Sequence, residues 1–308
     1  MREEDPTALT AIDPSLRTIA RFLPYRRGLY AGHLHLMRTG EAVAARLVAR
    51  RDVEVVQVSP TAGVRVHRPS GLGGDAPGVL WIHGGGFVSG LAALNDRAAR
   101  RTAEKLGALV ASVEYRLAPE HPYPAALDDC YAALQWLIAR DDIDQRRIVV
   151  VGASAGGGLA AALTLRWLDA GLVDLAGQVL VYPMLDDRTV QRSRAAGARG
   201  WTPKDNAFGW KSYLGCEPGA DGVSTYAAPA RRNDLSGLPP TWIGVGTADL
   251  FHDEDVDYAN RLRAAGVLTQ LEVVAGAFHG FDVAGARTSI ARRLTESRLV
   301  AMCGFLAI

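Results

Sequence analysis

The stretch Val149-Val-Val-Gly-Ala-Ser-Ala-Gly-Gly-Gly158 runs three β-branched residues into a turn of small residues that carries one hydroxyl, and then into a helical pattern. The β-branched run reads as a buried strand. Gly152-Ala-Ser154-Ala-Gly156 is a GxSxG turn between a strand and a helix, the context in which this pattern lifts a serine away from a sheet at a sharp, strained corner. The positions two before and two after the serine must lack bulk for strand and helix to approach, and Gly152 and Gly156 meet that need. With 33 glycines in 308 residues, the five-residue match alone is a weak signal. Gly152, Gly156 and Gly158 also fit a Gly-rich turn whose helix N-terminal amides cradle a dinucleotide pyrophosphate. That turn normally follows the first strand of its domain, whereas several strands precede this one. The chain also has no Tyr-x-x-x-Lys pair for dehydrogenase proton chemistry.

Outward from this corner, apolar runs at 79–82, 108–113, 147–151, 178–182, 241–245 and 268–274 alternate with amphipathic helical spacing. The alternation predicts an α/β fold, with a mainly parallel central sheet covered by helices on both faces. Upstream, Val53 to Val58 and Val64 to Val66 suggest two strands joined by the Pro60–Gly63 turn, and a Gly/Pro-rich loop over 70–78 leads into the 79–82 strand. Residues 1–50 show helical spacing, as at Ile19, Phe22 and Leu23 and again at Val43, Leu47 and Val48. The interval 186–235 is polar and Gly-rich, punctuated by Trp201, Phe208, Trp210 and Tyr213, and too long for a simple crossover. It reads as an insertion over the sheet. The expected organisation is therefore a core of 51–185 and 236–308, capped by the helices of 1–50 and by the 186–235 insertion.

Composition excludes several classes of function. Hydrophobic residues make up 48% and charged residues 22%, the balance of a soluble globular protein. The 34 basic residues are scattered among 33 acidic ones for a net charge of +1, so nucleic acid is not an expected partner. Cys130, Cys216 and Cys303 are far apart with no CxxC pair, which points to free thiols rather than a metal or redox site. Met1-Arg-Glu-Glu-Asp-Pro6 is acidic and no long apolar run follows it, so neither a signal peptide nor stable membrane insertion is expected. A cytoplasmic location follows.

A nucleophilic serine requires a base, an orienting carboxylate and donors for a developing oxyanion, all near the carboxyl ends of strands. After the 241–245 strand comes Thr247-Ala-Asp249-Leu250, an acid just beyond the strand end. Asp253 and Asp255 are nearby rivals, but they fall within the following helical pattern. After the 268–274 strand comes Ala275-Gly-Ala-Phe-His279-Gly-Phe281, a histidine in a glycine-rich loop, and none of the other six histidines has that address. His83-Gly-Gly-Gly-Phe87 follows the 79–82 strand, where successive glycines let backbone amides turn toward a substrate oxygen. Gly85 and Gly86, with the amide of Ala155, are the candidate oxyanion donors, and His83 is a loop anchor. Phe87, Trp210, Phe208 and Leu250 are candidate substrate-lining residues, although aromatics beneath an inserted segment equally form its own small core.

His83-Gly-Gly-Gly86, Tyr115-Arg-Leu-Ala-Pro-Glu-His-Pro-Tyr-Pro124, Gly152-Ala-Ser-Ala-Gly-Gly157, Tyr182-Pro183, Asp249 and Phe278-His-Gly-Phe281 together resemble the hormone-sensitive-lipase family of bacterial serine carboxylesterases. The resemblance spans residues 50–308. It implies an α/β-hydrolase fold with a helical cap, and hydrolysis of short- to medium-chain carboxylic esters through an acyl-enzyme on Ser154, with Asp249 and His279 completing the triad and with no metal or cofactor. The expected partner is a small-molecule ester, with homodimerisation possible. Two positions depart from the family pattern, Ala153 where Asp or Thr is usual and Leu250 where proline is common. Two other functions share the framework. A peptidase or amidase would use the same chemistry but usually recognises a charged terminus or long chain, and a non-catalytic small-molecule receptor would be expected to lose a triad member.

Overall fold

A computed structural model describes residues 9–23, 28–50, 52–192 and 199–308. The acidic Met1–Pro6 segment and part of the 186–235 insertion lie outside the described residues. Eight strands form one sheet: β1 (Glu54–Gln57), β2 (Gly63–His67), β3 (Ala76–Ile82), β4 (Leu109–Glu114), β5 (Ile143–Ala153), β6 (Gly177–Val181), β7 (Thr241–Gly246) and β8 (Thr269–Val274). Their order is β1-β2-β4-β3-β5-β6-β7-β8, antiparallel at β1–β2 and β2–β4 and parallel across every later pair. The longer helices are α1 (Leu34–Val48), α2 (Asp96–Leu106), α3 (Ala125–Ile138), α4 (Ala155–Asp169), α5 (Pro203–Leu214), α6 (His252–Ala264) and α7 (Ser289–Leu306).

The period-2 alternation of β-branched residues explains why helices cover both faces. Val79, Trp81, Val149, Val151, Val179 and Val181 face one core with Ala99, Ala103, Leu294 and Met302 of α2 and α7. Leu80, Ile82, Ile148, Val150 and Leu180 face the other with Leu127, Leu134, Leu159, Leu163 and Leu262 of α3, α4 and α6. Both sides of the central strands are thus buried, as a parallel sheet requires. Helix α4 is buried along almost its whole length, which its Ala- and Gly-rich sequence permits.

Two strand starts differ from the sequence expectation by more than two residues. β3 begins at Ala76, inside the stretch expected to be loop, because the register shifts between Ala76 and Gly78 where it meets β5, and Pro77 sits at that irregularity. Proline lacks the ladder donor, so a bulge at a strand start accommodates it. β5 begins at Ile143 rather than 147, since the buried Ile143 is followed by four polar residues, Asp144 to Arg147, that are exposed or half-buried and hide the strand start from a hydrophobic pattern. The three cysteines are free. Among the described residues no helix is long and apolar enough to cross a membrane.

Candidate active site

The corner between β5 and α4 is built as its glycines require. A Cβ on Gly152 would lie 2.0 Å from the Gly156 carbonyl oxygen, and one on Gly156 would lie 2.3 Å from the carbonyl oxygens of both Ile82 and His83. Strand, helix and the end of β3 meet here at distances only glycine allows. Ser154 takes φ 57°, ψ −123°, a conformation that costs a non-glycine residue on the order of 1–3 kcal/mol and persists only where surroundings enforce it. The enforcement comes from β6 and the loop after it: Ser154 N–H donates to Val181 O (2.9 Å), and Met184 N–H donates to Ser154 O (3.0 Å).

Two loops at the ends of β7 and β8 bring the other members in. Ala248 N–H donates to Ala277 O (3.0 Å) and Gly276 N–H to Thr247 Oγ1 (2.8 Å), so the segments carrying Asp249 and His279 are zipped together. His279 Nε2 lies 2.9 Å from Ser154 Oγ. Its Nδ1 lies 2.9 Å from Asp249 Oδ2 and 3.2 Å from Oδ1. Asp249 Oδ1 also accepts from Phe251 N–H (3.0 Å), which fixes the carboxylate plane. Asp249 is buried and the His279 side chain is nearly so. The imidazole is flanked edgewise by Tyr182 (centroids 4.6 Å apart, 64°) and Phe251 (5.1 Å, 85°). Tyr182 in turn donates its hydroxyl to Asp282 Oδ1 (2.5 Å), and its burial beside that carboxylate pushes the phenol well above its ordinary pKa.

The loop after β3 faces the serine. A Cβ on Gly84 would come within 2.9 Å of Ala153 O and 3.2 Å of Ser154 Cβ, so this loop lies directly against the corner. Gly85 (φ 122°), Gly86 (φ 61°) and Phe87 (φ 66°) all take positive φ, and two of the three are glycine, which adopts such angles without steric cost. Among the described residues the amides of Gly85, Gly86 and Ala155 have no acceptor. Ala155 is the first residue of α4, where an amide has no intrahelical partner and the helix dipole presents its positive end. His83 is buried, its Nδ1 contacts Gly84 O (2.7 Å), and its ring stacks on Tyr115 at 4.2 Å. Burial pushes its imidazole down to about 4, so it is neutral, as befits a loop anchor.

A family model described as the alpha/beta hydrolase fold matches residues 79–283. Esterase LipI of Mycobacterium tuberculosis (strain ATCC 25618 / H37Rv) is 33% identical over 304 residues, covering 95% of this chain and 94% of its own. This chain belongs to the hormone-sensitive-lipase family of α/β-hydrolases. The solved structure of a Bacterial Heroin Esterase superposes on this hydrolase with a TM-score of 0.88 at 36% identity, covering 97% of this chain and 99% of that one. The chain is also similar to the Gibberellin receptor GID1A of Arabidopsis thaliana, 32% identical over 239 residues, which cover 73% of this chain and 68% of the receptor.

Of the four side chains expected to line a pocket in this hydrolase, Phe87 and Trp210 are almost wholly buried, packed on each other (5.2 Å) and on Tyr213, which stacks on Phe87 at 4.0 Å. Leu250 is buried in the core and Phe208 is half-buried against it. The sequence reading missed three features of the site. Trp201, at the start of the segment leading into α5, presses on Gly86, whose Cβ would lie 1.9 Å from its Cη2. Tyr182 and Phe251 hold the imidazole from two sides, a contact that neither the Tyr182-Pro183 motif nor the place of Phe251 two residues beyond Asp249 revealed. The N-terminal helix α1 reaches the Gly-rich loop through Arg38 and Glu41, for which the sequence offered no signal. Arg116 forms a bidentate pair with Asp129 (2.9 Å on each arm), a structural tie.

Proposed function

We propose that the protein is a serine carboxylesterase that hydrolyses short- to medium-chain esters through an acyl-enzyme on Ser154. The observation that carries this reading is the unbroken line of hydrogen-bonding distances from the buried Asp249 through His279 to Ser154 Oγ. In this reading His279 Nε2 removes the Ser154 proton as Oγ bonds the ester carbon. Asp249 keeps the remaining imidazole proton on Nδ1 and stabilises the imidazolium that forms. The carbonyl π electrons become an oxyanion, received by the amides of Gly85, Gly86 and Ala155; one such donor is worth about 10²–10³ in rate. The carbon–oxygen bond to the alcohol then breaks as His279 returns the proton to the leaving oxygen. Water, deprotonated by the same imidazole, attacks the acyl carbon, and the bond from that carbon to Ser154 Oγ breaks as His279 returns the proton to Oγ and the acid leaves. No step calls on a metal or cofactor.

The residues of 1–50 and 186–235 serve as the cap in this reading, with Phe87, Trp210, Phe208 and Leu250 as the walls nearest the acyl or alcohol group. Resemblance to esterases over nearly the whole chain supports an ester substrate. The likeness to GID1A gives a non-catalytic receptor some standing, but a receptor has no need of a base held 2.9 Å from a strained serine. The test is turnover of p-nitrophenyl esters of increasing acyl length by wild type and Ser154→Ala, beside an aminoacyl aryl amide. Ester hydrolysis that falls on the order of 10³-fold or more in Ser154→Ala, with the circular dichroism spectrum unchanged, is the expected result. Activity persisting near wild type in that variant overturns the assignment. Preferential cleavage of the amide indicates a peptidase, and no turnover of either substrate indicates a receptor.

A further inference from the structure

We propose that helix α1 is a strap that holds the Gly-rich loop in its donating conformation, with Arg38 and Glu41 as positioning residues for the oxyanion amides. The inference rests on the ester-hydrolase reading above and concerns how its rate depends on the N-terminal helix.

The loop His83–Gly90 is under conformational tension. Gly85, Gly86, Phe87 and Gly90 all have positive φ, and Phe87 reaches +66° without being glycine. Apart from the His83 Nδ1 contact with Gly84 O, its internal bonds converge on one acceptor: Val88 N–H, Ser89 N–H and Ser89 Oγ–H all reach Gly85 O. The rest of its backbone is held from outside. Arg38 Nε donates to Val88 O at 2.7 Å, and its Nη2 donates to Ala118 O at 2.6 Å. Ala118 N–H in turn donates to Phe87 O (3.0 Å), so one guanidinium grips two consecutive loop residues, one of them through an intermediary. Glu120 fixes the same guanidinium in a fork of 2.7 and 2.9 Å. Three residues further along the same face of α1, Glu41 Oε2 accepts from Gly90 N–H (2.9 Å), while Tyr30 O–H donates to its Oε1 (3.2 Å). Burial, with Glu41 beside it, pushes the Tyr30 phenol up to about 12, so it remains a donor.

One helix face therefore holds the loop on the far side of its donors, at Val88 and Gly90. Without these ties Phe87 is free to leave its strained angle, and the adjoining Gly85 and Gly86, both at positive φ, shift with it and carry their amides out of aim. An oxyanion donor acts only when already aimed at the developing charge, and a shift of about 1 Å is enough to cost on the order of 10²-fold. A purely structural role for Arg38 and Glu41 predicts something else, loss of stability or of substrate binding with catalysis in the folded fraction intact.

The experiment compares wild type with Arg38→Ala, Arg38→Lys, Glu41→Ala and Glu41→Gln, using p-nitrophenyl butyrate turnover, thermal denaturation and inhibition by an alkyl trifluoromethyl ketone. With that ketone, Ser154 Oγ bonds the carbonyl carbon, its proton passes to His279, and the carbonyl π pair becomes an oxyanion, so affinity reports on the donors directly. Arg38→Ala and Glu41→Ala are expected to lower kcat about 10- to 100-fold with KM within about threefold, and to weaken the ketone by a similar factor. Glu41→Gln, whose amide oxygen still accepts from Gly90, recovers most of the rate lost in Glu41→Ala. If Arg38→Ala does not fold, Arg38→Lys, which keeps the charge but not the fork, shows a smaller loss with the same signature. Unchanged kcat and ketone affinity in folded variants, or a change in KM or melting temperature alone, overturns the strap while the active wild type leaves the esterase reading standing. A wild type that turns over no ester removes both.

Discussion

Gly86→Ala probes the most crowded point of the proposed oxyanion loop. Two penalties combine there. Alanine at φ 61° adopts the left-handed conformation, which costs an L-residue about 1–2 kcal/mol. The new Cβ would also stand 1.9 Å from Trp201 Cη2 and 2.4 Å from Cζ2, where ordinary contact begins at 3.4 Å, so ring and loop must separate by 3.4 − 1.9 = 1.5 Å. Trp201 has little room to yield, being buried, leaning on Tyr30 at 5.5 Å and donating Nε1–H to Asn206 Oδ1 at 3.3 Å. The loop is therefore the part that shifts. A displacement of that size at a catalytic donor corresponds to roughly 10²-fold in rate, or about 2.7 kcal/mol of barrier. The variant is expected to lose about that factor in kcat on p-nitrophenyl butyrate with KM little changed, and to melt lower by an overpacking cost of about 1–3 kcal/mol. Adding Trp201→Ala removes the obstruction but not the strained angle, so the double variant recovers part of the rate, and the two substitutions couple. A Gly86→Ala rate within threefold of wild type refutes the reasoning. So does a double variant no better than the product of the two single losses.

Asp249→Asn is expected to lower kcat/KM on the order of 10³- to 10⁴-fold while the fold survives. Phe251 N–H keeps the amide oxygen at the Oδ1 position, so the NH₂ faces His279 Nδ1 and forces the tautomer that cannot take the Ser154 proton; a loss under tenfold contradicts this. Glu254 supplies a pH signature. Burial raises its carboxyl from 4.5 to about 8, while Leu185 and Asp186 N–H donate to Oε1 and Thr189 bonds Oε2. The folded chain thus holds this proton more tightly than the unfolded one. Its stabilisation is complete below about pH 4.5 and is lost toward pH 8, by up to about 1.4 kcal/mol per pH unit. Glu254→Gln keeps the acceptor at Oε1 and a donor toward Thr189, so denaturant melts from pH 5 to 8.5 should show a flatter decline than wild type. Parallel curves would contradict the assignment.

The sheet and the corner at Ser154 were legible in the sequence because both are written locally. Val149 to Val151 alternate between two cores over three residues, and Gly152 and Gly156 answer a steric demand that spans five. The addresses of Asp249 and His279 were legible for a related reason, since each follows its strand by a few residues in a sheet whose mainly parallel character the alternation implied. Strand starts were not, because a bulge at Pro77 and the polar first half of β5 carry no hydrophobic period. The hydrogen bonds that join Ser154, His279 and Asp249, the ring of Trp201 against Gly86, and the reach of Arg38 and Glu41 to Val88 and Gly90 were decided only by tertiary structure. Periodicity and turn sterics act over a few neighbouring residues, whereas these contacts join segments remote in the chain, and their geometry exists only once the packed cores fix where each loop can lie.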